Sequence, residues 1–246
     1  MAKLSDKTAA ITGGAGGIGS TIAKCFAAEG ARLAILDING NVAKETAANL
    51  GTEHFSHVLD VGDDTSVNAA FQAATEELGD IDILINTAAI AGVRTVEEML
   101  IDEWDEMFRI NLRGSFLCCR AVLPGMRRKK WGRIVNFASE VAHRGNSGLS
   151  HYAASKAAVI AFSKCLALET VGDNITVNIL SPGPTDTAML AGIDEEVIEK
   201  LIKDLLPIGR LGTPEEMAAA ALFLASDDAS FCVGATLNAN GGIYLQ

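Results

Sequence analysis

The strongest constraint on the fold of this chain is an alternation. Short β-branched or aliphatic runs take turns with long stretches of helical periodicity: "KTAAIT" (7–12) precedes "STIAKCFAAEG", "ARLAILD" (31–37) precedes "NVAKETAANLG", and "HFSHVLD" (54–60) precedes "TSVNAAFQAATEELG". The pattern continues through "IDILIN" (81–86), a helical 103–127, "RIVNFAS" (133–139), a helix over about 150–170, "ITVNILS" (175–181), a helix near 214–225 and "ATLNA" (235–239). Strands that are apolar throughout are buried on both faces, and strands that alternate with helices pair in parallel under two helical layers. With right-handed crossovers this predicts a doubly wound α/β sheet of about seven strands. At 246 residues, with no linker, repeat or low-complexity tract, the chain reads as a single domain. Ligands of such sheets bind beyond the carboxyl ends of the strands.

The first of those ends runs into "TGGAGGIG" (12–19), which opens a helix. Gly13 can supply a tight turn, Gly17 leaves room for backbone beside a pyrophosphate, and Gly19, with Ile18 before it, permits close helix–strand packing. The helix start offers unpaired N–H groups to the anion. Glycines alone are weak evidence, but a strand before and a helix after them are the context of a dinucleotide-binding (Rossmann) turn. Asp37 ends strand two, where a carboxylate can accept both hydroxyls of an adenosine ribose and would repel a 2′-phosphate. Neither 13–19 nor 37–43 contains Arg or Lys to neutralise that phosphate, so the expected cofactor is NAD rather than NADP. Asp60 and Val61, after strand three, could meet the adenine edge. Asp60 has an equal claim as a helix cap.

A second signal lies in "LSHYAASKAAVIAFSKCLAL" (149–168). Four residues apart on a helix, Tyr152 and Lys156 project from one face, while the many alanines let another backbone come close. Taken alone, the pair also fits a solvated lysine beside an interface ring.

The bulk numbers exclude several partners. A net charge of −11 and a pI near 4.8 argue against a nucleic-acid or anionic-membrane surface. The basic run "RRKKWGR" (127–133) is expected to cap a helix end. The first residues hold too short an apolar run for a signal peptide, and no stretch reaches membrane-spanning length, so a cytoplasmic protein is expected. Cys25, Cys118, Cys119, Cys165 and Cys232 show no paired spacing and are expected to be reduced and mostly buried; His54 and His57 are read as structural, and no metal is expected.

The glycine turn, Asp37, "NTAA" (86–89), Asn111, Ser139, "YAASK" and "PG" (182–183), in this order, make the chain resemble a short-chain dehydrogenase/reductase over nearly all of 5–242. The family's glycine motif is matched by Thr12, Gly13, Gly17 and Gly19. The resemblance implies a catalytic tetrad of Asn111, Ser139, Tyr152 and Lys156. Tyr152 would exchange a proton with a substrate alcohol as hydride passes to or from the nicotinamide, and Ser139 would hold the same oxygen. Lys156 and the positive nicotinamide ring of NAD⁺ together are expected to lower the phenol's pKa, and Lys156 also to grip the nicotinamide ribose. Asn111 would hold a water that relays protons from Lys156, and Pro182, Gly183 and Thr187 would meet the carboxamide. Asn86 is expected beside the cofactor as a buttress of the central strands. The chain departs from the pattern at Thr87 and Ala89, where the family has N-N-A-G, and at Asn240, where it has aspartate before the terminal double glycine. The resemblance also implies a homotetramer, paired through the helices near 103–127 and 150–170 and the last strand.

Substrate residues are expected in "IAGVR" (90–94), in 140–149 and in a lid over 184–206 joined through Gly192, with "DEEVIEKLIKDLL" as its helix. Arg94, Glu140, Val141, His143, Arg144 and Leu149 are the candidates. The guanidinium groups suggest a hydroxy acid or sugar-derived acid as the alcohol substrate, unless these side chains face solvent or pair with Glu140 and neighbouring acids. Two alternatives stay open. One is a 3-oxoacyl-(acyl-carrier-protein) reductase, which by resemblance would prefer NADP and a basic docking face. The other is an NAD-binding sensor without turnover.

Overall fold

A computed structural model describes residues 2–188, 190 and 194–245. Its seven strands are β1 (Thr8–Thr12), β2 (Arg32–Asp37), β3 (Phe55–Val58), β4 (Ile83–Asn86), β5 (Gly132–Phe137), β6 (Ile175–Pro182) and β7 (Thr236–Ala239). They form one parallel sheet in the order β3-β2-β1-β4-β5-β6-β7, a Rossmann fold. The order reverses between β1 and β4, and at that switch point the loops after the two strands diverge to leave a crevice.

Side chains alternate across the sheet, which explains its two cores. Ala9, Ile11, Leu33, Ile35, Ile83, Ile85 and Val135 face α1 (Gly17–Ala28), α2 (Gly40–Leu50) and a late helix, Pro214–Ala225. Ala10, Ala34, Leu36, Leu84, Ile134 and Val177 face α3 (Asp64–Leu78), the helix Gly114–Lys129 and the helix Ser150–Thr170. Phe26 of α1 is wholly buried, so Phe26→Ala should cost about 3–5 kcal/mol.

One row of the sheet is polar. Thr12, Asn86 and Asn136 stand side by side on β1, β4 and β5. Thr12 Oγ1 donates to Asn86 Oδ1 at 3.4 Å, Asn86 Nδ2 to Asn136 Oδ1 at 2.8 Å, and Asn136 Nδ2 to Ser163 Oγ at 2.8 Å. The Asn86 side chain thus buttresses the central strands, as expected. Buried amides remain stable there because each has a partner.

The expected single helix over 103–127 is three pieces: α4 (Ile101–Phe108), a π-helical turn Arg109–Arg113, and α5 (Gly114–Lys129). The wide turn carries Asn111, and such turns concentrate at functional sites. A short α6 (Val141–Arg144), α7 (Ser150–Thr170), α8 (Glu195–Leu205) and α9 (Pro214–Ala225) complete the helices of the described residues. Among those residues, no helix is long and apolar enough to cross a membrane.

The basic run does end α5, but its charges are consumed. Arg127 and Lys130 pair with Asp173, Arg128 with Asp80, Lys129 with Asp82 and the buried Arg133 with Asp227. Of the cysteines, Cys118 and Cys119 are buried while Cys165 is exposed, against the expectation of general burial.

Candidate active site

The crevice at the switch point is a cleft of about 670 Å³, within the range of small-molecule sites. Gly13, Gly17, Ile18 and Gly19 line one side and Thr87, Ala88 and Ala89 the other, with Asp37 at one end. Gly13 adopts φ +65°, and a Cβ there would stand 2.8 Å from the Ala88 backbone nitrogen. A side chain is excluded by conformation and by space alike. Asp37 folds the turn onto β2, accepting from Ala15 N–H at 3.1 Å and from Asn39 N–H at 3.0 Å. Thr187 closes the cleft over Gly17, whose position leaves only 3.3 Å between an added Cβ and the threonine. A backbone cradle, a bare helix start and a carboxylate at one end fit a dinucleotide whose ribose carries free hydroxyls.

Asp60 and Val61 also line this cleft. Asp60 does not cap α3; Asp63 does, accepting from Ser66 N–H at 2.7 Å. Both carboxylate oxygens of Asp60 instead accept from Arg109 Nη1 at 3.1 Å. Arg109 was not singled out from the sequence, and its pKa is raised by Glu106 and Asp60. Its neighbour in "RINLRG", Asn111, was the only signal.

Ser139 follows β5, and Tyr152 and Lys156 stand on α7. The Ser139 hydroxyl donates to Glu140 Oε2 at 3.2 Å. Lys156 Nζ is buried and donates to the Phe137 carbonyl at 2.8 Å, lying 5.8 Å from the phenol ring centroid. The expected depression of the phenol by Lys156 is not what this arrangement produces. Burial pushes Tyr152 up to about 12, opposed by Ser139 and reinforced by the Glu140 charge. The same burial brings Lys156 down to about 8. The ammonium faces a carbonyl and not the phenol, so desolvation drives the two pKa values apart and favours the neutral form of each group.

Asn111 is a strut. Its Oδ1 accepts from Ile90 N–H at 2.9 Å, and its Nδ2 donates to the Ile90 carbonyl at 3.0 Å and to Ser155 Oγ at 3.1 Å. The side chain ties the segment after β4 to α7, one turn from Tyr152. Ser155 as its partner carries no sequence signal beyond lying inside "YAASK".

The candidate substrate residues separate into occupied groups and walls. Arg94 is engaged by Glu103 at 2.9 Å and Arg144 by Glu140 at 2.9 Å. Of the two readings of these guanidinium groups, a fork for a substrate acid or pairs with the chain's own acids, the contacts among the described residues are of the second kind. His143 stacks on Tyr244, ring centroids 4.6 Å apart and planes 9° from parallel, and burial lowers its pKa. Tyr244, from the C-terminal turn, was missed because nothing in its surroundings marks it. Val141 is buried and Leu149 precedes the first turn of α7, while Arg94 N–H donates to the Gly148 carbonyl at 2.8 Å and joins the two loops. Pro182 and Gly183 end β6, the Pro182 carbonyl accepting from Glu140 N–H at 3.0 Å. The expected hinge Gly192 lies outside the described residues. Helix α8 has no buried residue and is acidic in its first turn.

Known proteins with this pattern are numerous. A family model described as enoyl-(acyl carrier protein) reductase matches residues 13–244. The 3-oxoacyl-(acyl-carrier-protein) reductase FabG of Salmonella typhimurium is 38% identical over 239 residues, 97% of this chain and 98% of the relative. The D-threitol dehydrogenase of Mycolicibacterium smegmatis is 41% identical over 251 residues, 99% and 95%. The protein of Chlamydia muridarum named as a 3-oxoacyl-(acyl-carrier-protein) reductase is 40% identical over 244 residues, 98% of each. The chain belongs to the short-chain dehydrogenase/reductase family, oxidoreductases that use nicotinamide cofactors.

Proposed function

We propose that this chain transfers hydride between NAD and an uncharged secondary alcohol or its ketone. The observation that carries the cofactor choice is Asp37, whose carboxylate lines the cleft with no cation in 37–43. Bound NAD would supply the hydride acceptor. Tyr152 exchanges the proton, Ser139 shares the hydrogen bond on the reacting oxygen, and Lys156 and Asn111 fix the floor around them. An uncharged substrate is supported by the engaged guanidinium groups and by Glu140, an anion felt at the phenol that would repel an acid. A lid over 184–206 and a cytoplasmic setting complete this reading. The homotetramer is supported by an apolar recess of about 910 Å³ that includes Leu112 of the π-helical turn, Phe116 of α5, and Ala158 and Phe162 of α7. A monomer in light scattering at micromolar concentration would contradict it.

A second reading, reduction of a 3-oxoacyl thioester on an acyl carrier protein, is favoured by a specific observation: that activity recurs in the names of relatives similar over the whole chain. Asp37 and the aspartate-paired basic run weigh against it. One assay separates the two. NAD⁺ reduction is followed over neutral polyols, aryl alcohols, hydroxy acids and steroids, beside NADH and NADPH oxidation with a 3-oxoacyl thioester. Turnover of a polyol with NAD⁺ supports the first reading. NADPH-dependent thioester reduction as the only activity would replace it.

A further inference from the structure

Among the described residues that line the cofactor cleft, one side chain is a cation, Arg109, and three are acids, Asp37, Asp60 and Glu106. A cleft for a dinucleotide has phosphates on which to use its cation, yet Arg109 is committed to two of the acids. Glu106 of α4 takes the fork, Oε2 accepting from Nε at 2.6 Å and Oε1 from Nη2 at 2.8 Å. The remaining nitrogen, Nη1, donates to both oxygens of Asp60 at 3.1 Å. It lies against the bare face of Gly62, where a Cβ would collide with it. The π-helical turn and the loop after β3 are thus locked together by one guanidinium.

The order of the strand ends says what meets that loop. The glycine turn after β1 suits a pyrophosphate and Asp37 after β2 suits the ribose hydroxyls, so the base lies further outward, at the end of β3. There Ile38, Leu59, Val61 and Ile110 offer apolar surface to its faces, and Asp60 offers a carboxylate to its edge. A carboxylate has about four acceptor sites and no donor. Arg109 Nη1 takes one on each oxygen and Gly62 N–H takes a second on Oδ1 at 2.9 Å, which leaves one site, on Oδ2. A purine fills it only with a donor: adenine presents an exocyclic amine, whereas a 6-oxopurine presents an oxygen.

We propose that Arg109 is a positioning residue that fixes the plane of the Asp60 carboxylate and thereby makes the cleft select a 6-aminopurine dinucleotide over a 6-oxopurine one. The inference rests on the reading of NAD as the cofactor. Without the guanidinium, Gly62 N–H holds one oxygen and leaves the carboxylate free to turn about it, with Glu106 beside it as a second anion. The two losses have different signatures. Unopposed negative charge weakens every dinucleotide alike, whereas lost orientation weakens only the one that offers an amine. The ratio of the two affinities therefore reads the positioning role, and loss of packing alone leaves that ratio unchanged.

The test is binding, read by titration calorimetry with NAD and with nicotinamide hypoxanthine dinucleotide, and needs no turnover. The parent chain should bind NAD at least about tenfold more tightly, the scale of one hydrogen bond to a charged group. Asp60→Asn, whose amide donates as well as accepts, should bring the ratio to within about twofold of one, and Arg109→Met to within about threefold. Arg109→Lys, which restores a cation without the fork, should fall between Arg109→Met and the parent. The Asp60→Asn/Arg109→Met double variant should show the ratio of Asp60→Asn, because Arg109 acts through Asp60. At measurable affinity, a parent ratio near one, or an Arg109→Met ratio equal to that of the parent, would overturn the proposal alone. If Arg109→Met does not fold, Arg109→Gln, which stays polar and loses the charge, decides in its place. Binding of neither dinucleotide to the parent chain would overturn the cofactor reading and the proposal with it.

Discussion

The two ends of the cleft are made of different material. At the cofactor end the working parts are backbone: a glycine turn, a helix start and one carboxylate that folds the turn onto β2. In the loops expected to flank the substrate end they are long side chains that have already found one another, as in Arg94–Glu103, Arg144–Glu140 and His143 on Tyr244. A backbone site has to spend particular residues, since only glycine fits φ +65° against Ala88. A side-chain site can be built from many residues, and what each does depends on which neighbour reaches it first. The comparison can be attacked from either end, and the boundary between the two, at Tyr152, gives the largest effect.

Tyr152→Phe removes the proton-transfer group and keeps the ring. Turnover should fall by about two to four orders of magnitude while NAD affinity, measured by protein fluorescence, stays within a few-fold. Most of the activity surviving in this variant would mean that another group serves as acid and base. Gly19→Ala should have the next largest effect and should invert the pattern. A Cβ at Gly19 would lie 2.2 Å from the Gly13 carbonyl oxygen, so the turn itself must move. Displacement of that kind should weaken NAD binding by about a hundredfold. Unchanged NAD affinity in titration would show that the turn does not hold the cofactor.

Asp37→Ala comes third. With the carboxylate present, NAD should exceed NADP in kcat/KM by at least about tenfold, and its removal should narrow that ratio. Equal efficiency with the two cofactors in the parent chain would remove the basis of the preference.

The same contrast explains how far the chain could be read before its structure. The sheet was legible because buried parallel strands must be apolar on both faces, and "AILD" or "ILIN" has few other uses. The glycine turn was legible for the reason of space given above. Asn86 was legible as a buttress of the central strands, but its partners were not, because only the register brings Thr12 and Asn136 beside it. The break in the helix around Asn111 was hidden because a π turn preserves the apolar pattern on either side. The place of the Lys156 ammonium was hidden for a different reason. Sequence spacing shows that Tyr152 and Lys156 share a face, but not that the Phe137 carbonyl takes the ammonium. Glu140 beside Ser139 was visible, yet its two partners were not.

The smallest predicted effect is the sharpest test of the substrate end. Arg94 and Glu103 are both substantially exposed, and their ion pair has a geometry that water and salt weaken. The loop does not depend on the guanidinium: Arg94 N–H is held by the Gly148 carbonyl, and Glu103 independently caps α4 through Leu100 N–H at 3.0 Å. Arg94→Ala should therefore leave the melting temperature unchanged, and kcat and KM for a neutral alcohol should stay within about twofold. Assayed against a hydroxy acid, the same variant gives the stronger contrast. If Arg94 is engaged by Glu103 and not by substrate, KM for the acid is also unmoved. A large rise in KM confined to the acid would mean that the guanidinium leaves Glu103 for the ligand, and the division of the cleft into a backbone end and a self-paired end would fail at that residue.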